Sequence, residues 1–386
     1  MRSLKTLAIV SEVSVGYGTP QVLSMAKSFA ETFGMTVTIL EPDQPERPPI
    51  RGLTGDGYTI TRLVTSVHPY SVPGKAEFVA AAATWINQHK PDLVLIVSFT
   101  GIPILTMLNY KPWGVIYYAL EHSNGQSSPE FSLLARWQKG VDLFIFPDAK
   151  RAVLDGRRLG VDVDRTMIML NGSSLCFKAV EPDARNGRFF YGGLLSPKHT
   201  NAHFFLDPRV REYPLDLFGI FDGGMSAGDF EAKRDGGSGG IQYGGYLPAS
   251  LSFGDVLPPY VYSLVMWAPN DEATLYAAPN KFYEAIAAGV PPISTPHPQC
   301  QRIIKKYRLG LLMGDWSFDA FHQSLQMADL AQQTDQYDEM VAACNRVNSS
   351  FLCWDRQFER LAQLITRALN ENRRRLSARL LKHASV

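Results

Sequence analysis

The strongest constraint on this chain is a strand–helix pattern that runs, stops and starts again. Residues 7–11 form a continuous apolar run, the kind of strand a parallel sheet buries on both faces. Further strands are expected at 36–40, 92–97, 114–118 and 143–146. Helical spacing fills the gaps at 20–33 and 75–89, with Thr19-Pro20 as a start and Gly34 as a stop. Strands alternating with helices over this length give a doubly wound parallel sheet. The pattern then restarts with strands at 188–193, 215–219, 263–267 and 292–294. The expectation is an α/β protein of two such domains, 1–183 and 188–350, separated by a polar stretch at 181–187. Residues 351–386 would form a closing helix. A chain of 386 residues accommodates two domains of roughly 100–200 residues each.

Composition excludes several classes. Lys and Arg number 38 against 37 Asp and Glu, a net charge of +1. That balance lacks the basic excess of a dedicated nucleic-acid binder, so no nucleic-acid partner is expected. No apolar run reaches the roughly 20 residues that span a bilayer. Met1-Arg2 leads into 7–10 without the long apolar region of a signal peptide. Cys176, Cys300, Cys344 and Cys353 form no C-x-x-C pair and read as reduced thiols of a cytoplasmic protein.

The most informative stretch is 278–293. Pro279 suits a helix start, which puts Asn280 and Lys281 in the first turn. Unpaired N–H groups and the positive helix end favour phosphate there, and Lys281 adds the full charge a diphosphate wants. Glu284, three residues on, shares the face of Lys281. A carboxylate beside a nucleotide site suits ribose hydroxyls. An ordinary amphipathic helix capped by Gly289 is the plain alternative.

This segment resembles the nucleotide-sugar site of GT-B glycosyltransferases, especially the glycogen-synthase-like (group 1) bacterial enzymes of polysaccharide and glycolipid assembly. Their pattern is close to Pro-x-Lys-x-x-Glu-x-x-Ala-x-Gly-x-Pro-Val-Ile. Other stretches resemble the family in the same order: 141–148, the Asn171-Gly172 segment at 166–172, the strand opening 190–198, the glycine strand 243–247 and the closing helix at 351–361 with Trp354-Asp355. The resemblance implies two Rossmann-like domains facing a cleft, the first for an acceptor and the second for a nucleoside-diphosphate sugar. Gly193, Lys198, Tyr246, Asn280, Lys281 and Glu284 would bind the donor. Two departures stand out. Retaining members carry two glutamates eight positions apart; Glu284 matches the second, and Tyr276 stands at the first, with Asp271 and Glu272 out of register. The family's arginine after the opening glycine is Leu194 here.

On the acceptor side, Gly16, Tyr17 and Gly18 follow the first strand and allow close backbone approach to a ligand; a simple tight turn is the alternative. Glu121 or His122, after the strand at 114–118, can take the acceptor hydroxyl proton in an inverting mechanism. The alternative is a hydrogen-bonded pair organising the loop. Asp148 is a second base candidate, or else a helix N-cap. His199 and His297 lie near the donor positions. Asp162-Val163-Asp164 reads as turn chemistry rather than a metal site, and no metal or other cofactor is expected.

The expected function is transfer of a sugar from a nucleoside-diphosphate sugar to a glycan or lipid-linked acceptor. A nucleotide-sugar epimerase of the same fold and a non-catalytic nucleotide-sugar binder are the alternatives. The glycine-rich stretch 222–245 reads as a flexible loop. Residues 370–383 hold a basic, leucine-striped helix, suited to weak contact with anionic membrane at the inner face or to a solvated helix end.

Overall fold

The computed structural model describes residues 4–17, 19–47, 49, 55, 57–120, 122, 129–172, 177, 180–228, 240–247 and 256–383, without the side chains of 129–130 and 369–383. The chain divides into two units. Unit 1 is Met1–Leu120, Gln126–Leu170 and Trp354–Val386; unit 2 is Glu121–Gly125 and Asn171–Cys353.

Unit 1 is built on seven strands: β1 (Thr6–Ser11), β2 (Thr36–Pro42), β3 (Tyr58–Leu63), β4 (Leu93–Val97), β5 (Gly114–Tyr118), β6 (Leu143–Phe146) and β7 (Thr166–Ile168). Every neighbouring pair is parallel. Their order is β3-β2-β1-β4-β5-β6-β7. The winding therefore reverses between β1 and β4, and the carboxyl ends of those two strands flank the crevice where such sheets bind ligands. Side chains alternate across the sheet. Leu7 and Ile9 join one core with Phe29 and Phe358, while Ala8 and Val10 join another with Phe78 and Phe144.

Unit 2 repeats the plan with β8 (Phe189–Leu195), β9 (Leu215–Phe221), β10 (Ile241–Tyr243), β11 (Tyr262–Val265), β12 (Pro292–Ser294) and β13 (Leu311–Leu312). These strands are again parallel, in the order β10-β9-β8-β11-β12-β13. Its reversal lies between β8 and β11.

The sequence reading lacked β3, β7 and β13 as strands, and set the glycine strand at 243–247, where β10 is Ile241–Tyr243. β3 is an edge strand whose residues are mostly half-buried, so no clean apolar face marks it. β13 has only two residues. The polar stretch at 181–187 lies inside unit 2, because its polarity is spent on bonds. Arg185 Nη1 donates to Tyr260 O at 3.0 Å and Nη2 to Gly289 O at 2.8 Å. The Asn186 N–H donates to Pro259 O at 2.8 Å. The division falls instead between Leu170 and Asn171.

The helix Trp354–His383 returns to unit 1. Trp354 Nε1 donates to Ser28 Oγ at 2.8 Å. Gln357 clamps the Leu170 backbone, accepting its N–H at 2.7 Å and donating to its carbonyl at 3.3 Å. Phe358 meets Phe29 edge-on at 5.1 Å. The side chains of the basic face expected at 370–383, and residues 229–239 of the glycine-rich stretch, lie outside the described residues. Among the described residues no helix is long and apolar enough to cross a membrane. Phe358→Ala empties a site in the unit 1 core and should cost about 3–5 kcal/mol, read as a lower midpoint in urea unfolding. An unchanged midpoint would mean that this helix adds nothing to that core.

Candidate functional site

Unit 2 gathers charge at its own reversal point. β8 runs into Gly192-Gly193, and Gly193 has φ 143°, a region open to glycine. Its neighbour in β9 is Gly219, where a Cβ would lie 1.6 Å from Gly193 O. The two backbones thus approach more closely than any side chain permits. A Cβ on Gly193 itself would strike Lys281 Nζ at 2.8 Å. The bare glycine backbone is therefore the floor on which the Lys281 ammonium rests.

Lys281 comes from the first turn of the helix Asn280–Ala287. Its Nζ donates to Tyr191 Oη at 3.2 Å, and Tyr191 Oη donates onward to Leu194 O. The ammonium lies 4.3 Å from the Tyr191 ring centroid and 5.9 Å from that of Trp267, which follows β11. Aromatic faces hold a cation without neutralising it. Among the described residues the other Lys281 N–H groups meet no acceptor. Pro279 at the helix N-cap makes no side-chain capping bond, so the first turn presents its positive end uncapped by its own N-cap residue. A full charge and a helix N-terminus at the reversal of a parallel sheet make an anion site.

Glu284 lies one turn on and is buried, 5% exposed. Burial pushes its carboxyl up to about 7, with the Lys281 charge working in the opposite direction. This carboxyl is a strong acceptor with no side-chain or backbone donor among the described residues.

The loop before the helix is held by side chains from elsewhere in unit 2. Asp271 caps the short helix Glu272–Leu275, accepting the Thr274 N–H at 2.7 Å. Glu272 turns toward His122, with 3.5 Å between Oε1 and Nε2. The His122 ring is fully enclosed and meets the Tyr276 ring edge-on at 5.6 Å. His297 Nδ1 lies 3.0 Å from Leu275 O. Asn171 Nδ2 donates to Ala278 O at 2.8 Å. Tyr276, at the position of the missing glutamate, thus packs against His122, while the two out-of-register carboxylates cap a helix and face an imidazole.

The other expected residues distribute unevenly. Gly193, Asn280, Lys281 and Glu284 share one locality. Lys198 is exposed in the short helix Pro197–Thr200, where its carbonyl accepts Asn270 Nδ2 at 2.9 Å. Tyr246 is exposed beyond β10. The His199 carbonyl accepts the Ala268 N–H at 2.7 Å. Asp148 is the N-cap of the helix Ala149–Leu159, accepting from Lys150 N and Arg151 N at 2.6 and 3.0 Å. Its cap reading is the one the geometry displays. Glu121 and Gly18 lie outside the described residues. Among the described residues no three His, Cys, Asp or Glu side chains gather as a metal site requires.

In unit 1 the Gly16-Tyr17 turn is fixed by a residue the sequence reading passed over. Buried Glu41, at the end of β2, accepts the Val15 N–H at 2.6 Å and faces Arg62 Nε at 2.8 Å. Burial raises its carboxyl above the usual range, against the pull of the Val15 N–H and the Arg62 charge. A charged residue closing an apolar strand was the one signal available for it.

No protein-family model matches the chain, and no curated protein does. Solved structures match it at low identity. The sucrose-phosphate synthase of Thermosynechococcus elongatus superposes with a TM-score of 0.68 at 14% identity, covering 95% of this chain and 100% of that one. A glycosyltransferase from Rickettsia africae gives 0.65 at 10% identity, with 95% and 98% covered. Anabaena HepE, solved in complex with UDP-glucose, gives 0.64 at 12% identity, with 94% and 99% covered. With two doubly wound parallel sheets of seven and six strands and this likeness along nearly its whole length, the chain has the GT-B fold.

Proposed function

We propose that this protein is a glycosyltransferase that moves a sugar from a nucleoside diphosphate to a glycan or lipid-linked acceptor. The observation that carries the reading is the Lys281 ammonium, seated on the Gly193 backbone at the helix start. When an acceptor hydroxyl attacks the anomeric carbon, the bond to the diphosphate breaks and negative charge grows on the leaving oxygen. Lys281 and the helix N-terminus meet that charge in a fixed geometry. The chain supplies this positive charge itself, and no metal is assigned to the reaction. Glu284 accepts the ribose hydroxyls, as carboxylates do in dinucleotide folds. Anabaena HepE, with the same fold, has been solved with UDP-glucose, which makes that compound a fitting first donor probe.

Lys281→Ala should lower turnover on the order of 10²-fold, the scale for losing one preorganised electrostatic group. Unchanged turnover with UDP-glucose would reject the assignment. The Glu284 carboxyl, held near 7, is mostly neutral at pH 6 and mostly ionised at pH 8. The ionised form offers two charged, acceptor-only oxygens to the hydroxyls, whereas the neutral acid turns one oxygen into a donor and binds them more weakly. The diphosphate of a nucleotide sugar does not titrate in this range, so calorimetry should find donor binding roughly tenfold tighter at pH 8 than at pH 6. Glu284→Gln should flatten that dependence; a flat profile in the unaltered protein would remove Glu284 from the nucleotide site.

We propose that the acceptor proton in an inverting transfer goes to the Glu121-His122 pair, with Glu272 beside the enclosed His122 ring. A carboxylate beside an imidazole stabilises the imidazolium that forms. His122→Ala and Glu272→Gln should both lower turnover at saturating donor, with donor affinity kept, and Asp148→Asn should not. A product with retained anomeric configuration would end the base role.

A further inference from the structure

Unit 1 carries an ordered cation of its own, Arg47, beside the Tyr17 turn. Because β1, β2 and β3 are parallel neighbours, the loops that follow them leave the same sheet edge. Each loop contributes one side chain: Tyr17 after β1, Arg47 after β2 and Tyr70 after β3. The Arg47 guanidinium carbon lies 5.4 Å from the Tyr70 ring centroid and 5.9 Å from that of Tyr17. Its Nη1 donates to Tyr70 Oη at 2.8 Å. Among the described residues its remaining N–H groups meet no acceptor.

The backbones that carry this group are anchored from below. Arg62 Nη1 donates to the Arg47 carbonyl at 2.7 Å. Arg62 is itself held by Glu41, 2.8 Å from its Nε, and by Asp43 at 3.5 Å. The same Glu41 accepts the Val15 N–H at 2.6 Å, two residues before Tyr17. One buried carboxylate, 1% exposed, thus sets both the Tyr17 turn and the Arg47 loop. A surface arginine needed only for solubility requires no such foundation.

A guanidinium with open N–H groups fits a planar or tetrahedral oxyanion through paired hydrogen bonds. Flanking tyrosine rings offer apolar faces and hydroxyls, which suit the C–H face and hydroxyls of a sugar. We propose that Arg47, bracketed by Tyr17 and Tyr70, binds the anionic group of a sugar acceptor, a phosphate or a carboxylate. This inference rests on the glycosyl-transfer reading for calling that sugar the acceptor; the anion subsite itself rests on the geometry of unit 1.

Calorimetry on the full chain decides it, with glucose 6-phosphate, glucuronate and glucose as probes and UDP-glucose as control. At least one anionic sugar should bind, at least tenfold tighter than glucose, and the tighter of the two identifies the group. Arg47→Ala should weaken that binding at least tenfold while UDP-glucose binding stays unchanged. Tyr70→Phe, which removes only a hydroxyl, should weaken it roughly three- to tenfold, and this milder variant guards against a folding defect in the first. Equal binding of glucose and both anionic sugars, no binding of any of the three, or full binding by Arg47→Ala would overturn the subsite. Loss of UDP-glucose binding in the unaltered protein would count against the proposed function instead, leaving an anion subsite that is not an acceptor site.

Discussion

Everything proposed for unit 2 depends on how closely β8 and β9 approach at Gly193 and Gly219. Were Gly219 larger, the strand ends would have to separate, because it has no room for a Cβ beside Gly193 O, and a larger residue at 193 would displace the Lys281 ammonium. The absence of side chains there leaves a flat backbone surface, and the Lys281 ammonium occupies it. Tyr191 and Trp267 flank that cation without cancelling its charge. Leu194 stands where the resemblance leads one to expect an arginine, so the proposed function gives the electrostatics to a single lysine and a helix end.

Both units solve the same problem with a buried carboxylate, in opposite ways. Glu41 is buried with partners: the Val15 N–H and Arg62 stabilise its charge, and the result is two fixed loops. Glu284 is buried without a described donor, and desolvation raises its carboxyl to about 7. The first holds structure. The second carries a cost in desolvation that the Lys281 charge offsets only in part.

Much of this was legible in the sequence. Residues 7–11 and 114–118 announced central strands because a strand buried on both faces has no polar side to confuse the pattern. Pro279, Lys281 and Glu284 marked the helix start and its shared face because a helix start and a three-residue spacing are local facts. What stayed hidden was long-range. No local pattern ties His122 to Glu272, Arg62 to the Arg47 carbonyl or Gln357 to Leu170; each pair meets only after the sheets form. Arg185 was misleading for the same reason, since a polar residue in a linker and one bonded to three backbone carbonyls look alike in sequence. Asp148 had two readings before folding, and its two backbone N–H partners favour the cap.

The central claim is that the diphosphate of a nucleotide sugar rests against Lys281 at the start of the Asn280–Ala287 helix. A crystal structure of the full chain with UDP-glucose tests it most directly. The account predicts a phosphate oxygen about 2.7–2.9 Å from Lys281 Nζ, with ribose hydroxyls on the Glu284 carboxylate. A nucleotide bound elsewhere, with Lys281 still directed at Tyr191 and no phosphate beside it, would contradict the account.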